Sequence, residues 1–321
     1  MNGWLGIDVA KETLDVALVS ERQRTYGQFG NDVAGYAALL RWLKKRKLAE
    51  CHACLEATGV YGEGITEELY KQGITVSVVN PARVRGYADS QLSRNKTDKL
   101  DAYLLADFCR TFNPEAWTPP PPEWRELRAL VRHLEDLSHA HQQLTNQMDS
   151  GTPSAIVQTH WQTQLALLNE HSQQVKQAIT VHLDHYPDLK RQKDLLISIP
   201  GIGDLTAARL LAECRSLTAF TNVRQLVAFA GLNPRHHQSG TSICKHTAIS
   251  HRGSASLRAA LYMPAIVAKR HNPVLRRFAQ RLLDRGLAPK AVVVAVMRKL
   301  LHLAYGVLKS GRPFDPAWLP S

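Results

Sequence analysis

Only five cysteines occur among 321 residues, no second cysteine pair follows the first, and no long uninterrupted apolar run is present. Each shortage excludes something. Cys51-His52-Ala53-Cys54 has the spacing of half a zinc site, but a structural zinc site needs a second pair. In a strand those two thiols point to opposite faces, so the reading is buried thiols in a reducing compartment. The longest apolar run, Ala291 to Met297, is short and flanked by charge, and no signal-like segment opens the chain. The expectation is a cytoplasmic protein without a membrane partner. Glycine is missing where nucleotide folds require it. Asp8-Val9-Ala10-Lys11 has no glycine after the first apolar stretch, which excludes a dinucleotide fold. Acidic residues are scarce in one region: residues 190–321 contain 21 Lys+Arg against 5 Asp+Glu, leaving 19 against 23 in the rest of a chain of net charge +12. A surface with that imbalance attracts polyanions, nucleic acid first among them.

What is present is a set of four acids. Asp8 ends the run Trp4-Leu5-Gly6-Ile7, and Glu56 closes Cys54-Leu55. Each follows a short apolar stretch that reads as a buried strand. Asp98 and Asp101 stand three apart at the start of a helical pattern carrying Leu100, Leu104, Leu105 and Phe108, so they share one helix face. Carboxylates gathered at one sheet end repel unless cations separate them. Two Mg²⁺ ions, or Mn²⁺ in their place, about 4 Å apart would relieve that repulsion and clamp both oxygens of a phosphodiester displacement. Taken singly, each acid has an ordinary explanation: Asp98 as a helix N-cap, Asp101 at a helix dipole, Asp8 in a turn, Glu56 in an ion pair.

The spacing predicts strands over residues 3–7, 13–19 and 24–29, then a helix capped at Asn31-Asp32. A strand into Glu56, a helix over roughly 62–72, a strand over 74–79 stopped by Asn80-Pro81, and the helix bearing Asp98 and Asp101 complete the region. Three hairpin-like strands followed by alternating helices and strands describe a mixed α/β sheet of RNase H-like type over residues 1–118, a region that the resemblance described below implies to be RuvC-like. Pro119 to Pro122 marks a boundary. Beyond it Leu127, Leu130, Leu134, Leu137, His141, Leu144 and Met148 form an a/d seam, and a weaker seam returns through Trp161, Leu165, Leu168, Val175 and Ile179. Residues 119–186 therefore read as a helical coiled-coil arm. Self-association is favoured slightly over pairing within one molecule.

Residues 187–321 read as a mainly α-helical domain. Ile199-Pro200-Gly201-Ile202-Gly203 resembles a helix-hairpin-helix turn, in which Gly201 and Gly203 let backbone N–H groups approach a phosphate. It is no P-loop, because no Gly-Lys-Ser/Thr follows. From Asn233 the apolar pattern lapses into a polar loop with Arg235, Ser239, Thr241, Ser242, Lys245 and Arg252. Hydroxyls among cations suit a phosphate that is gripped or attacked. Residues 237 and 241 are His and Thr, which excludes an esterase elbow. The residue types alone do not separate Ser239 from Thr241 or Ser242.

Jointly these motifs resemble the transposases of insertion-sequence family 110, the DEDD recombinases that use a bridge RNA. Gly6-Ile7-Asp8-Val9-Ala10-Lys11, Glu56-Ala57-Thr58-Gly59-Val60-Tyr61 and Asn95-Lys96-Thr97-Asp98-Lys99-Leu100-Asp101-Ala102 are similar to the family's carboxylate motifs. Ile199 to Gly203, Phe229-Ala230-Gly231-Leu232-Asn233-Pro234, Ser239-Gly240 and Leu257-Arg258-Ala259-Ala260-Leu261 are similar to its C-terminal transposase domain. The resemblance implies that Asp8, Glu56, Asp98 and Asp101 hold Mg²⁺ and that Ser239 is the nucleophile. It implies donor and target DNA and a structured guide RNA as partners, and a dimer or tetramer in which the serine of one subunit meets the carboxylates of another. A hydrolytic RuvC-like junction endonuclease and a non-catalytic nucleic-acid-binding protein are the competing readings.

Overall fold

The computed structural model describes residues 2–46, 50–57, 59–91, 97–151, 154–214, 220–235, 238–239, 243–244, 248–249 and 253–317. They form two compact units, Met1–Pro119 and Pro120–Ser321.

The first unit is a mixed five-stranded sheet. Strands β1 (Asn2–Val9), β2 (Thr13–Ser20) and β3 (Arg24–Gly30) form an antiparallel meander, closed by a tight turn in which Ala10 N–H donates to Thr13 C=O at 2.9 Å. Next come helix α1 (Val33–Lys44), β4 (Glu50–Glu56), a short 3-10 turn Val60–Gly62, helix α2 (Glu63–Lys71) and β5 (Thr75–Val79). Both later strands run parallel to β1, giving the order β3-β2-β1-β4-β5. Alternation sorts the side chains. Leu5, Ile7, Leu14, Val16, Leu18 and Leu55 form one buried layer with Leu39 of α1 and Leu69 of α2. The opposite face packs Cys54 and Val79 against Leu105, Phe108 and Cys109. Cys51 and Cys54 fall in different layers, as two strand positions three apart must, and all four described cysteines are free.

A helix absent from the sequence reading, α3 (Pro81–Ser90), follows β5 at once. Asn80-Pro81 does more than stop the strand. The Asn80 side chain accepts from Ala82 N–H at 2.8 Å and proline takes the first helical turn, where it lacks no needed donor. Helix α4 (Asp98–Phe112) then crosses the sheet. Gly6 makes that crossing possible: a Cβ there would lie 2.0 Å from Ala102 O and 2.3 Å from Ala106 N. Strand and helix backbones are therefore in direct contact beside Asp8.

The second unit is helical. Helices α5 (Pro122–Asp149) and α6 (Ala155–His185) pair as an antiparallel hairpin, with His182 Nε2 2.7 Å from Glu123 O near the open end. The seam through Leu127, Leu134, Leu137 and Leu144 is thus occupied within one chain. Pairing within one chain fills the α5 side of the seam, whereas Trp161, Leu165, Leu168 and Val175 on α6 are only half-buried. Leu127, Val131, Leu134, Ile179 and Leu183 also belong to the core of the following helices, so the hairpin is rooted in that unit.

Helices α7 (Pro187–Ile197), α8 (Asp204–Cys214) and α9 (Val223–Phe229) come next. Four two-residue strands follow: β6 (Pro234–Arg235), β7 (Gln238–Ser239), β8 (Ile243–Cys244) and β9 (Ala248–Ile249). Helices α10 (Ala255–His271), α11 (Pro273–Asp284) and α12 (Pro289–Ser310) complete the unit. Among the described residues α12 alone is long and apolar enough to cross a membrane, with 22 residues that include an 18-residue stretch of mean hydropathy 1.7. The sequence reading stopped at Met297 because Arg298-Lys299 interrupts the run, yet the helix resumes with Leu300 and Leu301. Val292, Val296, Leu300, Leu301 and Ala304 are all buried among the other helices, the pattern of a core helix.

Candidate active site

Register and helix entry bring four acids of the first unit into electrostatic range. Asp8 is the penultimate residue of β1, and Ile7 lies beside Leu55 across the parallel pairing, so Asp8 and Glu56 occupy adjacent strands at the same level. Asp98 and Asp101 open α4 on the sheet face where Gly6 admits it. Thr97, not Asp98, is the N-cap, accepting from Leu100 N–H at 3.3 Å, so the Asp98 carboxylate is not needed for capping. Both aspartates sit in the first turn, where the helix dipole favours negative charge. Of the expected apolar stripe on α4, Leu105 and Phe108 are buried while Leu100 is exposed at the entry.

The electrostatics agree with this placement. Burial raises the Asp8 carboxyl to about 6, helped by the charges of Asp101, Asp98, Glu56 and Asp15. Carboxylates this close penalise each other's ionisation, and a bound proton or cation removes the penalty. The donor set is all oxygen, which suits a hard divalent ion such as Mg²⁺ or Mn²⁺. As placed, however, no group of three or more His, Cys, Asp or Glu among the described residues is arranged to hold a metal ion. The acids are close enough to repel but are not drawn into a finished ligand set.

Asp15 is the residue that the sequence reading missed. It lies directly opposite Asp8 in the β1–β2 register and is only 3% exposed. The alternation of Leu14, Val16 and Leu18 marked the buried face of β2 and hid what the other face carried. The signal was available: a tight connection after Val9 obliges residues 8 and 15 to pair. Like charges directly opposed on neighbouring strands are unfavourable. Here the Tyr26 hydroxyl donates to Asp15 Oδ1, and Gln28 Nε2 lies 3.3 Å from both carboxylate oxygens. That bond to Asp15, with burial and the charges of Asp15 and Asp98, pushes the Tyr26 phenol up to about 12. Tyr26 therefore stays protonated and remains a donor. Lys99 Nζ lies 5.2 Å from the centre of the Tyr26 ring, linking this support to the helix that carries Asp98.

The other expected site residues belong to the second unit. Ser239 ends β7, its backbone paired with Ile243 of β8, and Arg235 ends β6, paired with Ala248. Lys245 and Arg252 lie outside the described residues, as do Thr241 and Ser242. At Gly201, φ is +109° and a Cβ would come within 2.5 Å of the Ala268 Cβ on α10. Close helix packing thus requires glycine there whether or not a phosphate binds. Gly203 has open space around it, and Ile199 and Ile202 are buried, so the turn is anchored by its apolar residues.

Comparison with known proteins agrees with these motifs along most of the chain. Residues 5–151 match the family model of the DEDD type of IS110, described as transposase, and residues 193–280 match that of the transposase IS116/IS110/IS902 family. The pilin gene-inverting protein of Moraxella bovis is 33% identical over 315 residues, 97% of each chain. The transposase for insertion sequence element IS1111A of Coxiella burnetii is 25% identical over 300 residues, 83% of this chain and 78% of that one. Among solved structures, T. thermophilus RuvC in complex with Holliday junction substrate matches 36% of this chain and 100% of its own, with TM-score 0.29 and 11% identity. Matches to both family models, with a relative one-third identical from end to end, show that the chain belongs to the IS110 family of transposases.

Proposed function

We propose that this transposase breaks and rejoins DNA at a carboxylate site formed by Asp8, Glu56, Asp98 and Asp101, using Ser239 as nucleophile. The observation that carries the reading is the register that sets Asp8 level with Glu56 on the neighbouring strand, on the sheet face where Gly6 admits the helix opening with Asp98 and Asp101. The strand order supports an RNase H-like assignment for the sheet, three antiparallel strands followed by two parallel ones. When bound, Mg²⁺ would polarise the scissile phosphate and stabilise the charge that develops on it.

The protein side of the chemistry follows from the residues. The Ser239 oxygen attacks phosphorus, a new O–P bond forms, and the P–O bond to the departing strand breaks. The serine proton passes to a carboxylate or water, and the leaving sugar oxygen takes one up. The resulting ester conserves the bond's energy, so a second strand is joined without ATP. Asp15, fixed by Tyr26 and Gln28, limits the movement of Asp8 and acts as a positioning residue. The family resemblance implies a composite site, with Ser239 of one subunit meeting the acids of another in a dimer or tetramer. Sequence choice is assigned to pairing with a structured guide RNA, while Arg235, Lys245 and Arg252 grip the backbones of donor and target DNA. The setting is the cytoplasm.

The test is cleavage of a donor–target substrate with guide RNA and Mg²⁺, followed by denaturing electrophoresis for a protein–DNA adduct. The wild type gives joined product and adduct, Ser239→Ala gives neither, and Asp8→Asn with Asp98→Asn cuts nothing. Cutting by Ser239→Ala without adduct would establish a hydrolytic nuclease instead. Joining by the doubly substituted acid variant would establish a binding protein with no catalytic carboxylates.

A further inference from the structure

The second unit contains a cleft of about 780 Å³ between α11, α12 and the tail that follows Gly311. It lies within the ~300–1,000 Å³ range of sites that enclose a small ligand. Its rim is cationic: Arg277 and Arg281 stand one helical turn apart on α11, with Lys299 on α12 and Arg312 on the tail. Asp315 is the one acidic residue in the lining. Among the described residues none of these four cations is in a salt bridge. The lining is mostly apolar and includes Phe278, with the Arg281 guanidinium 5.7 Å and the Lys299 ammonium 5.6 Å from its ring centre. The tail wall is held in place by Phe314 N–H, which donates to Ser198 Oγ at 2.8 Å.

One group in this cleft is unexplained by the fold. His302 Nε2 is buried and has no hydrogen-bond partner in the protein. Burial, Lys299 and Arg298 lower its basicity, so at neutral pH it offers one donor and one acceptor. Native proteins rarely bury such an atom without a partner; His302 lines the cleft, but this nitrogen faces away from its open space and meets a ligand only when the wall shifts.

We propose that this cleft receives a single unpaired nucleotide of the nucleic acid the transposase handles, the base against Phe278 and His302 and the phosphate on Arg277, Arg281 and Lys299. A duplex cannot use such a site: its bases are stacked inside, and only phosphates reach a concave surface. A single strand offers both a flat apolar base and a phosphate within one residue, matching an apolar lining beneath a basic rim. The ring carries the stacking energy, the cations give register along the strand, and His302 forms part of the wall. The inference rests on the nucleic-acid role proposed above but not on the chemistry of Ser239 or the acids.

The experiment is equilibrium binding of 2-aminopurine-labelled hexamers, deoxyribose and ribose versions, and a matched DNA duplex to the full chain at ~0.1 M salt. Arg277→Gln with Arg281→Gln changes two exposed side chains and should leave thermal unfolding unaltered. Single-strand binding should weaken tenfold or more and the salt slope should fall by about 1.4. Phe278→Leu should weaken it roughly tenfold with no change in slope and abolish the stacking-induced quench of the label. Duplex binding should stay within twofold in every variant. Tighter binding of one sugar series assigns the strand as DNA or RNA, and equal binding assigns recognition to base and phosphate alone. Wild-type affinity in the variants, equal losses for duplex and single strand, or no hexamer binding at all would overturn the proposal. Because no bond is made or broken in this assay, its failure leaves the strand-transfer reading untouched, and the reverse also holds.

Discussion

The two units of this transposase solve opposite electrostatic problems. Met1–Pro119 contains 15 Lys+Arg and 15 Asp+Glu, so the whole excess of positive charge lies in Pro120–Ser321. The neutral unit concentrates like charges at one spot, with four acids around Asp8, and holds them there with a sheet and a helix entry. The positive unit spreads its charge over helices and short loops. A reaction centre for phosphate needs the first arrangement, because divalent ions demand several oxygens at fixed places. Holding a polyanion needs the second, because counterion release is additive over many loosely placed contacts. On the function proposed above, rigid register serves chemistry, and distributed charge serves grip.

That contrast can be broken most severely at Gly6. Gly6→Ala places a methyl against the α4 backbone and should cost more than ~4 kcal/mol or expel the helix, with loss of strand cleavage. Circular dichroism and a cleavage assay check both. Asp8→Asn should reduce cleavage at least ~10³-fold while stabilising the metal-free protein. The sign follows from the carboxyl held near 6 against 3.8 when unfolded: the native state keeps the extra proton, so stability falls as pH rises from about 4 to about 6. The upper bound on that fall is ~3 kcal/mol, and partial exposure reduces it to roughly 1–2 kcal/mol. Thermal melts of the metal-free wild type across that range should show the decline, and Asp8→Asn should be flat.

Smaller effects sharpen the same comparison. Gly201→Ala in the helical unit should destabilise by roughly 2–4 kcal/mol through contact with Ala268 and a disfavoured φ. Its phosphate affinity after correction for folded fraction separates packing from ligand binding. Tyr26→Phe leaves Asp15 short of a donor and should cost ~1–3 kcal/mol. A tenfold drop in cleavage rate with unchanged DNA affinity would mark Asp15 as acting through Asp8 rather than on DNA. Arg24→Gln removes an exposed ion pair to Asp107 and should shift stability by ~1 kcal/mol or less in chemical denaturation.

Legibility in the sequence also divides along this line. Short apolar runs ending in an acid revealed β1 and β4, because a strand buried on both faces leaves that pattern in any context. Asp15 was not legible as part of the site, since its neighbours were read as a one-sided alternation and its meaning depends on pairing with residue 8. Helix α3 was overlooked because Asn80-Pro81 reads equally well as a strand stop and a helix cap. The α5 seam was visible residue by residue, but a heptad pattern does not say whose helix fills it. The two-residue strands around Ser239 have no periodicity long enough to register.

Gly6 has a further consequence for metal preference under the metal-binding role proposed above for the acids beside it. The gap between the strand-borne and helix-borne carboxylates is fixed by two main chains touching, so it has no slack to compress. Any retuning must come from side-chain length, by exchanging aspartate for glutamate at residues 98 or 101, because the scaffold beneath them has already reached its limit.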